Sequence, residues 1–387
     1  MRFALTNGRL LIGDALVHGP TVLLSGARIE ALVEPGDDRC REAVAVDLAG
    51  QILLPGFIDV QVNGGGGLLF NDEPNSAAIR AIGEAHRRFG TTGFMPTLIS
   101  DDLDTIGRAI AAVQASIDAQ VPGVLGIHIE GPFLNWARRG VHDAKHLRLL
   151  DTSLVALLCQ LRDGKTVLTL APEMTTPQVI AELSAAGVLV SAGHSNASFA
   201  ETTVAIAHGL RGFTHLFNAM APLAPRAPGI IGAALYDDST WCGIIVDGHH
   251  VDPVMLKLAL RCKRHDRFML VTDGMPAVGS AEPTFILQGR TIRVVDGACR
   301  DENGTLAGTA LDMASAVRNA VASLGLDLPA AARMASEYPA EFLGLGAELG
   351  RIAPGYRANL VLVDDDVRVQ RTWVEGWAGE WTPRGSV

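Results

Sequence analysis

The sequence predicts an α/β protein: a (β/α)8 TIM-like barrel with a small β-sandwich domain built from both chain termini. Three observations carry this reading. Through the middle of the chain, eight short apolar runs alternate with helical segments over more than ~200 residues, the pattern of a barrel. Each end of the chain is instead a succession of strand-like stretches punctuated by Gly, Asp and Pro. Four polar residues, Glu130, His194, His215 and Asp273, each close one of the apolar runs. At the C-terminal ends of parallel strands such groups converge although they are far apart in sequence.

The N-terminal part, residues 1–53, alternates in FALTNGRLLIGD, ALVHGPTVLLSGARIEALVEPGDD and AVAVDLAGQILLPG. Residues 351–387 have the same character in GRIAPGYRANLVLVDDDVRVQRTWVEGW, and the two parts are expected to pair into one small sandwich. Residues 54–350 then form the barrel. Its strands are expected at 56–64, 93–100, 124–131, 166–173, 188–195, 212–218, 243–250 and 268–274. Helices at 76–89, 102–120 and 176–187 each carry one apolar face, and Asp102 and Thr176 are suited to cap two of them. An open doubly wound sheet is the rival, but no GxGxxG turn follows the first strand. After the eighth strand, residues 284–305 read as an inserted β-hairpin.

Bulk properties narrow the function. With 48% hydrophobic and 19% charged residues the chain is a well-packed globular one. Its net charge of −10 disfavours nucleic acid and anionic membranes as partners. Apolar stretches break well before the ~18 residues of a membrane span. The N-terminus lacks a signal-peptide pattern, and five cysteines without a CxxC pair argue against a disulfide framework, so the cytoplasm is expected.

Glu130, His194 and His215 end strands 3, 5 and 6. One carboxylate and two imidazoles make a three-ligand set for a divalent ion, zinc first, with a position left for water. Any one of them alone is as well read as a satisfied core residue; their matched placement favours ligation. Asp273, ending strand 8, is placed to take a proton from water and pass it to a leaving amine. Its Asp-Gly sequence is equally a turn signal. Gln61 and Asn63 share one face of strand 1, where a second metal would need His-X-His; amides suit contacts to a bound water instead. The only lysines, Lys145, Lys165, Lys257 and Lys263, end no expected strand, so a lysine-bridged pair of metals is not indicated. One metal per subunit is expected. The glycine run at 64–67 lacks a following GK[ST] and reads as a turn.

PGFIDVQVNGGGG, HIEGPFLNWARRGVH, APE, SAGHS, THLFNAM, DGHHV, VTDGM and GTLAG occur in the order found in the amidohydrolase superfamily. The set resembles its N-acetylglucosamine-6-phosphate deacetylase branch, THLFNAM and EGPF most specifically. That resemblance implies a zinc-dependent hydrolase of an N-acetyl sugar phosphate, acting as a homodimer. It assigns Glu130, His194 and His215 to the metal and Asp273 to acid–base catalysis. His142 matches the residue that orients the acetamido carbonyl and holds the developing oxyanion. Asn218, Ala219, Arg226, His250 and Leu306 match substrate contacts, Arg226 reaching in from the neighbouring subunit; His249 has no counterpart role. A solvated loop position is the plainer reading of Arg226. The alternatives are deacetylation of another substrate, such as N-acetylgalactosamine 6-phosphate, other amide hydrolysis, or a barrel that binds without catalysis.

Overall fold

The computed structural model of the protein describes residues 2–379. Eight parallel strands, Phe57–Val62, Thr91–Ile99, Gly126–Glu130, Lys165–Leu170, Leu189–Ala192, Leu210–Phe213, Trp241–Ile244 and Phe268–Leu270, pair in chain order and are numbered 1 to 8 below. The seam between strands 8 and 1 is closed just beyond the regular ladder. There Asn63 N and Gly64 N both donate to Gly274 O at 2.9 Å, and Val62 forms a parallel bridge with Gly274. The barrel is thus nearly closed, as the alternation of strands and helices predicts. Its strands are buried on both faces, which is why they read as continuous apolar runs rather than alternating ones.

The helices pack outside the barrel, and their starts follow from local chemistry. Asp102 and Thr176 accept from the N–H groups of Thr105 and Val179 and cap helices Leu103–Asp118 and Pro177–Ala185, as expected. Ser198 and Glu201 form a reciprocal capping box on helix Phe199–Ala207.

The chain ends do meet. Strand Leu360–Val363 lies antiparallel to Ile52–Pro55, with Leu362 opposite Leu53, inside a five-stranded sheet that also holds Arg9–Ile12, Ala15–His18 and Val369–Trp373. A four-stranded sheet from residues 2–47 faces it across Leu5, Leu10, Val22, Leu24, Leu53, Leu360 and Trp373. Burying one such leucine is worth ~1.5–3 kcal/mol. The Arg9–Asp365 ion pair between the termini, whose carboxylate is 80% exposed, belongs to a class worth ~0–1 kcal/mol. Apolar contact therefore joins the ends. Of the terminal segments 1–53 and 351–387, Met1 and residues 380–387 lie outside the described residues.

The insertion after strand 8 is larger than the expected hairpin at 284–305. It is a four-stranded antiparallel sheet of Thr284–Leu287, Arg290–Val295, Ala298–Arg300 and Leu306–Thr309. The GTLAG segment supplies its last strand, which the glycines had disguised. Leu287, Ile292, Cys299 and Ala307 of this sheet pack on Ile99 and Met275 at the mouth of the barrel.

Candidate active site

The strand ends deliver their polar residues through strained turns. His194, His215 and Asp273 follow strands 5, 6 and 8 with φ of 50°, 33° and 52°. Left-handed backbone is uncommon for residues other than glycine and costs on the order of 1–3 kcal/mol each, so the surrounding structure holds these side chains in place. Gly131, directly after Glu130, has φ 84°, and a Cβ there would come within 2.3 Å of Ser100 Oγ. The glycine of EGPF is thus required by a side chain that itself serves the site.

Three buried ligand atoms converge. His194 Nε2 lies 3.2 Å and His215 Nε2 3.0 Å from Glu130 Oε1, and the two nitrogens are 3.0 Å from each other. Ligands at ~2.1 Å in a tetrahedral zinc site stand roughly 3.4 Å apart, so this triangle is close to the size an ion requires. His194 Nδ1 lies 2.9 Å from Arg138 O and donates to it, which leaves Nε2 as a lone pair facing its partners. The donor set fits a divalent metal, and among the described residues these three are the group that could hold one. Burial pushes the Glu130 carboxyl up, but the adjoining His194 and His215 imidazoles outweigh it and hold the group well below the usual carboxylate range. Burial pushes His215 down, and Glu130 more than restores it.

Asp273 faces this group. Burial first, and the Glu130 charge second, raise its carboxyl to about 6. Asn63 Nδ2 and Gln61 Nε2 donate to Asp273 Oδ1 at 2.6 and 3.0 Å, and Gln61 also reaches Glu130 at 3.4 Å. The two strand-1 amides thus hold the carboxylates, and Asn63 Oδ1 is a buried acceptor without a partner among the described residues, at the edge of the cavity.

His142 is brought in by the loop after strand 3. Its Nδ1 accepts from Ser100 N–H at 3.3 Å and lies 2.7 Å from Ser100 Oγ, so the ring proton belongs on Nε2. Burial, then the nearby His194, press its pKa to about 3, which keeps it a neutral donor. His250 donates from Nδ1 to Asp247 Oδ2 at 2.6 Å, and Asp247 also accepts from the N–H groups of His249 and His250. Burial raises the Asp247 carboxyl, but the bond from His250 holds it at about 2.

Glu130, His142, His194, His215, His250 and Asp273 line a cavity of about 340 Å³ together with Asn63, Asn218, Ala219 and Leu306. A larger recess of about 780 Å³, beside Arg87 and Val369–Thr372, has no convergent acid–base set among the described residues. Of the residues expected at the site from the sequence, Arg226 alone stands clearly outside: it is exposed on the loop after strand 6 and does not line this chain's cavity. Arg138 is the lysine or arginine that does. Sequence reasoning passed over Arg138, Ser100 and Asp247. The last two end apolar runs on strands 2 and 7, the same signal that singled out Glu130.

Residues 52–379 match the Amidohydrolase family. The chain is 46% identical to an N-acetylgalactosamine-6-phosphate deacetylase of Shewanella sp. (strain ANA-3), over 85% of this chain and 83% of that protein. It is 33% identical to the N-acetylglucosamine-6-phosphate deacetylase of Haemophilus influenzae, over 97% and 99%. The crystal structure of N-acetylglucosamine-6-phosphate deacetylase from Pasteurella multocida superposes with a TM-score of 0.94 at 35% identity, over 98% of this chain and 100% of that one. With the family's pattern covering most of its length and relatives of this similarity matched nearly end to end, the chain belongs to the amidohydrolase family.

Proposed function

We propose that the protein hydrolyses the acetamide of N-acetylglucosamine 6-phosphate, giving glucosamine 6-phosphate and acetate, a reaction of amino-sugar catabolism and cell-wall recycling carried out in the cytoplasm. The observation that carries this reading is the convergence of Glu130, His194 and His215 beside Asp273 and His142 in one cavity. Glu130, His194 and His215 would hold a divalent ion, zinc by preference for this donor set, which would supply Lewis acidity to a water and to the acetamide carbonyl. Asp273, whose raised pKa suits a group that must both take and give a proton, accepts the water's proton and later delivers it to the departing amine. His142 donates its Nε2–H to the carbonyl oxygen as negative charge develops there. Gln61 and Asn63 orient Asp273, and Asn63 Oδ1 is an acceptor for the attacking water. Asn218, Ala219, His250 and Leu306 bound the sugar.

The phosphate requires cations in a chain of net charge −10. Arg138 offers one within the cavity, and Arg226, exposed outside it, is assigned to the cavity of a second subunit in a homodimer. A second reading, N-acetylgalactosamine 6-phosphate as substrate, is favoured by the 46% identity to a relative of that name. Acetate release from both sugar phosphates and from unphosphorylated N-acetylglucosamine tests the proposal. A higher kcat/KM on the galactosamine compound would move the assignment to the second reading, and indifference to the phosphate would overturn both.

A further inference from the structure

We infer that Gln288, at the tip of the inserted sheet, is a positioning residue for His142. The inference rests on the reading of His142 as the oxyanion donor. Strands Thr284–Leu287 and Arg290–Val295 are joined by a two-residue turn, with Leu287 paired to Arg290. Gln288 and Gly289 have φ of 48° and 81°. Two positive φ values mark the hairpin turn that favours Asn-Gly or Gly-Gly, so a glutamine at the first position is a choice the turn itself does not ask for. Strained backbone at a non-glycine residue points to a task for its side chain.

The task is visible in the amide. Gln288 Oε1 accepts from Asp143 N–H at 2.8 Å, and Gln288 Nε2 donates to Ser100 O at 2.9 Å. Asp143 is the chain neighbour of His142. Ser100 is the residue whose N–H and hydroxyl both engage His142 Nδ1. One side chain therefore clamps the two segments that fix the ring, the end of strand 2 and the loop after strand 3. Both amide atoms are used. Leu287, next to it, packs on Ile99 and lines the cavity, so the clamp also seats the inserted sheet over the site. His142 and the insertion behave as one unit: the ring keeps its Nε2–H aimed at the cavity only while the sheet is docked.

Two variants and one background test this. Gln288→Gly relieves the turn strain and removes both bonds; Gln288→Glu keeps the acceptor to Asp143 but loses the donor to Ser100. Each is expected to lower kcat about tenfold or more while KM changes by less than about threefold. In a His142→Ala background the same changes are expected to cost less than about twofold further, because the clamp acts through the ring. Hydrogen exchange of the Ser100 amide, which is bonded to His142 Nδ1, is expected to quicken about tenfold in Gln288→Gly with the global unfolding midpoint retained. Unchanged kcat, losses that multiply in the double variant, or an undisturbed Ser100 amide each overturn the inference. If the wild-type protein released no acetate from either sugar phosphate, that result would count against the proposed function, and the Ser100 exchange would still decide the role of Gln288.

Discussion

The Nε2 atoms of His194 and His215 stand 3.0 Å apart, and both point at the same oxygen of Glu130. A carbonyl holds the Nδ1 proton of His194, so its Nε2 meets His215 as a lone pair. A positive ion between such groups relieves their crowding and satisfies all three. Purified protein is accordingly expected to hold one divalent ion per chain by elemental analysis. His215→Ala or Glu130→Ala should remove both the ion and turnover. A full complement of ion in either variant would show that the ligands lie elsewhere.

Asp273 is expected to be separable from metal binding. Asp273→Asn keeps a side chain of the same shape near Asn63 but loses the proton carrier, so kcat should fall by ~10²–10⁴. Metal content and substrate binding, read by calorimetry, should stay close to wild type. Turnover within a few-fold of wild type would exclude Asp273 from proton transfer.

The exposed position of Arg226 makes a prediction about assembly. Loss of a charge-assisted bond of ~1.5–3 kcal/mol corresponds to a roughly 10- to 100-fold higher KM for Arg226→Ala on the phosphorylated substrate. If the proposed homodimer holds, mixing and reassociating Arg226→Ala with Asp273→Asn should produce activity above either alone, since each hybrid dimer would have one site with both residues intact. No gain on mixing, with hybrids shown to form, would place Arg226 outside the partner's site.

Asp59 gives a pH prediction. It is fully buried on strand 1, accepting from Thr272 Oγ1 at 2.5 Å and from Gln61 N–H at 3.2 Å, and burial pushes its carboxyl from 3.8 up to about 7. A pKa raised in the folded state means stability that is present at low pH and lost as pH rises through about 7. Three pKa units amount to about 4 kcal/mol. Denaturant unfolding of Asp59→Asn, which does not titrate, should therefore improve relative to wild type as pH is raised from about 4 to 7. A pH-independent difference would show that Asp59 is ionised throughout.

Much of the fold was legible because its determinants are local. The apolar runs of strands 1 to 8, the caps at Asp102 and Thr176, and the β character of both ends reflect periodicity and backbone chemistry within a few residues. The inserted sheet was underestimated because the glycines of GTLAG hide a strand whose partners, Ala298–Arg300 and Gly274, meet it only in the folded protein. Within the site, Glu130, His194, His215 and Asp273 were legible as polar ends to apolar runs. Ser100 and Asp247 carry the same mark but were passed over, since their chemistry appears only once they touch His142 and His250.

By itself, the sequence determined which residue types stand at the strand ends and hence which chemistry the protein can perform. The tertiary structure alone decided that Gln61 and Asn63 hold carboxylates, that Gln288 clamps both flanks of His142, and that Arg138 rather than Arg226 faces this chain's cavity. The physical reason is range. Strand and helix propensity act over a few residues, whereas the bonds made by Gln61, Asn63 and Gln288 join positions 69 to 212 residues apart and exist only when the barrel closes.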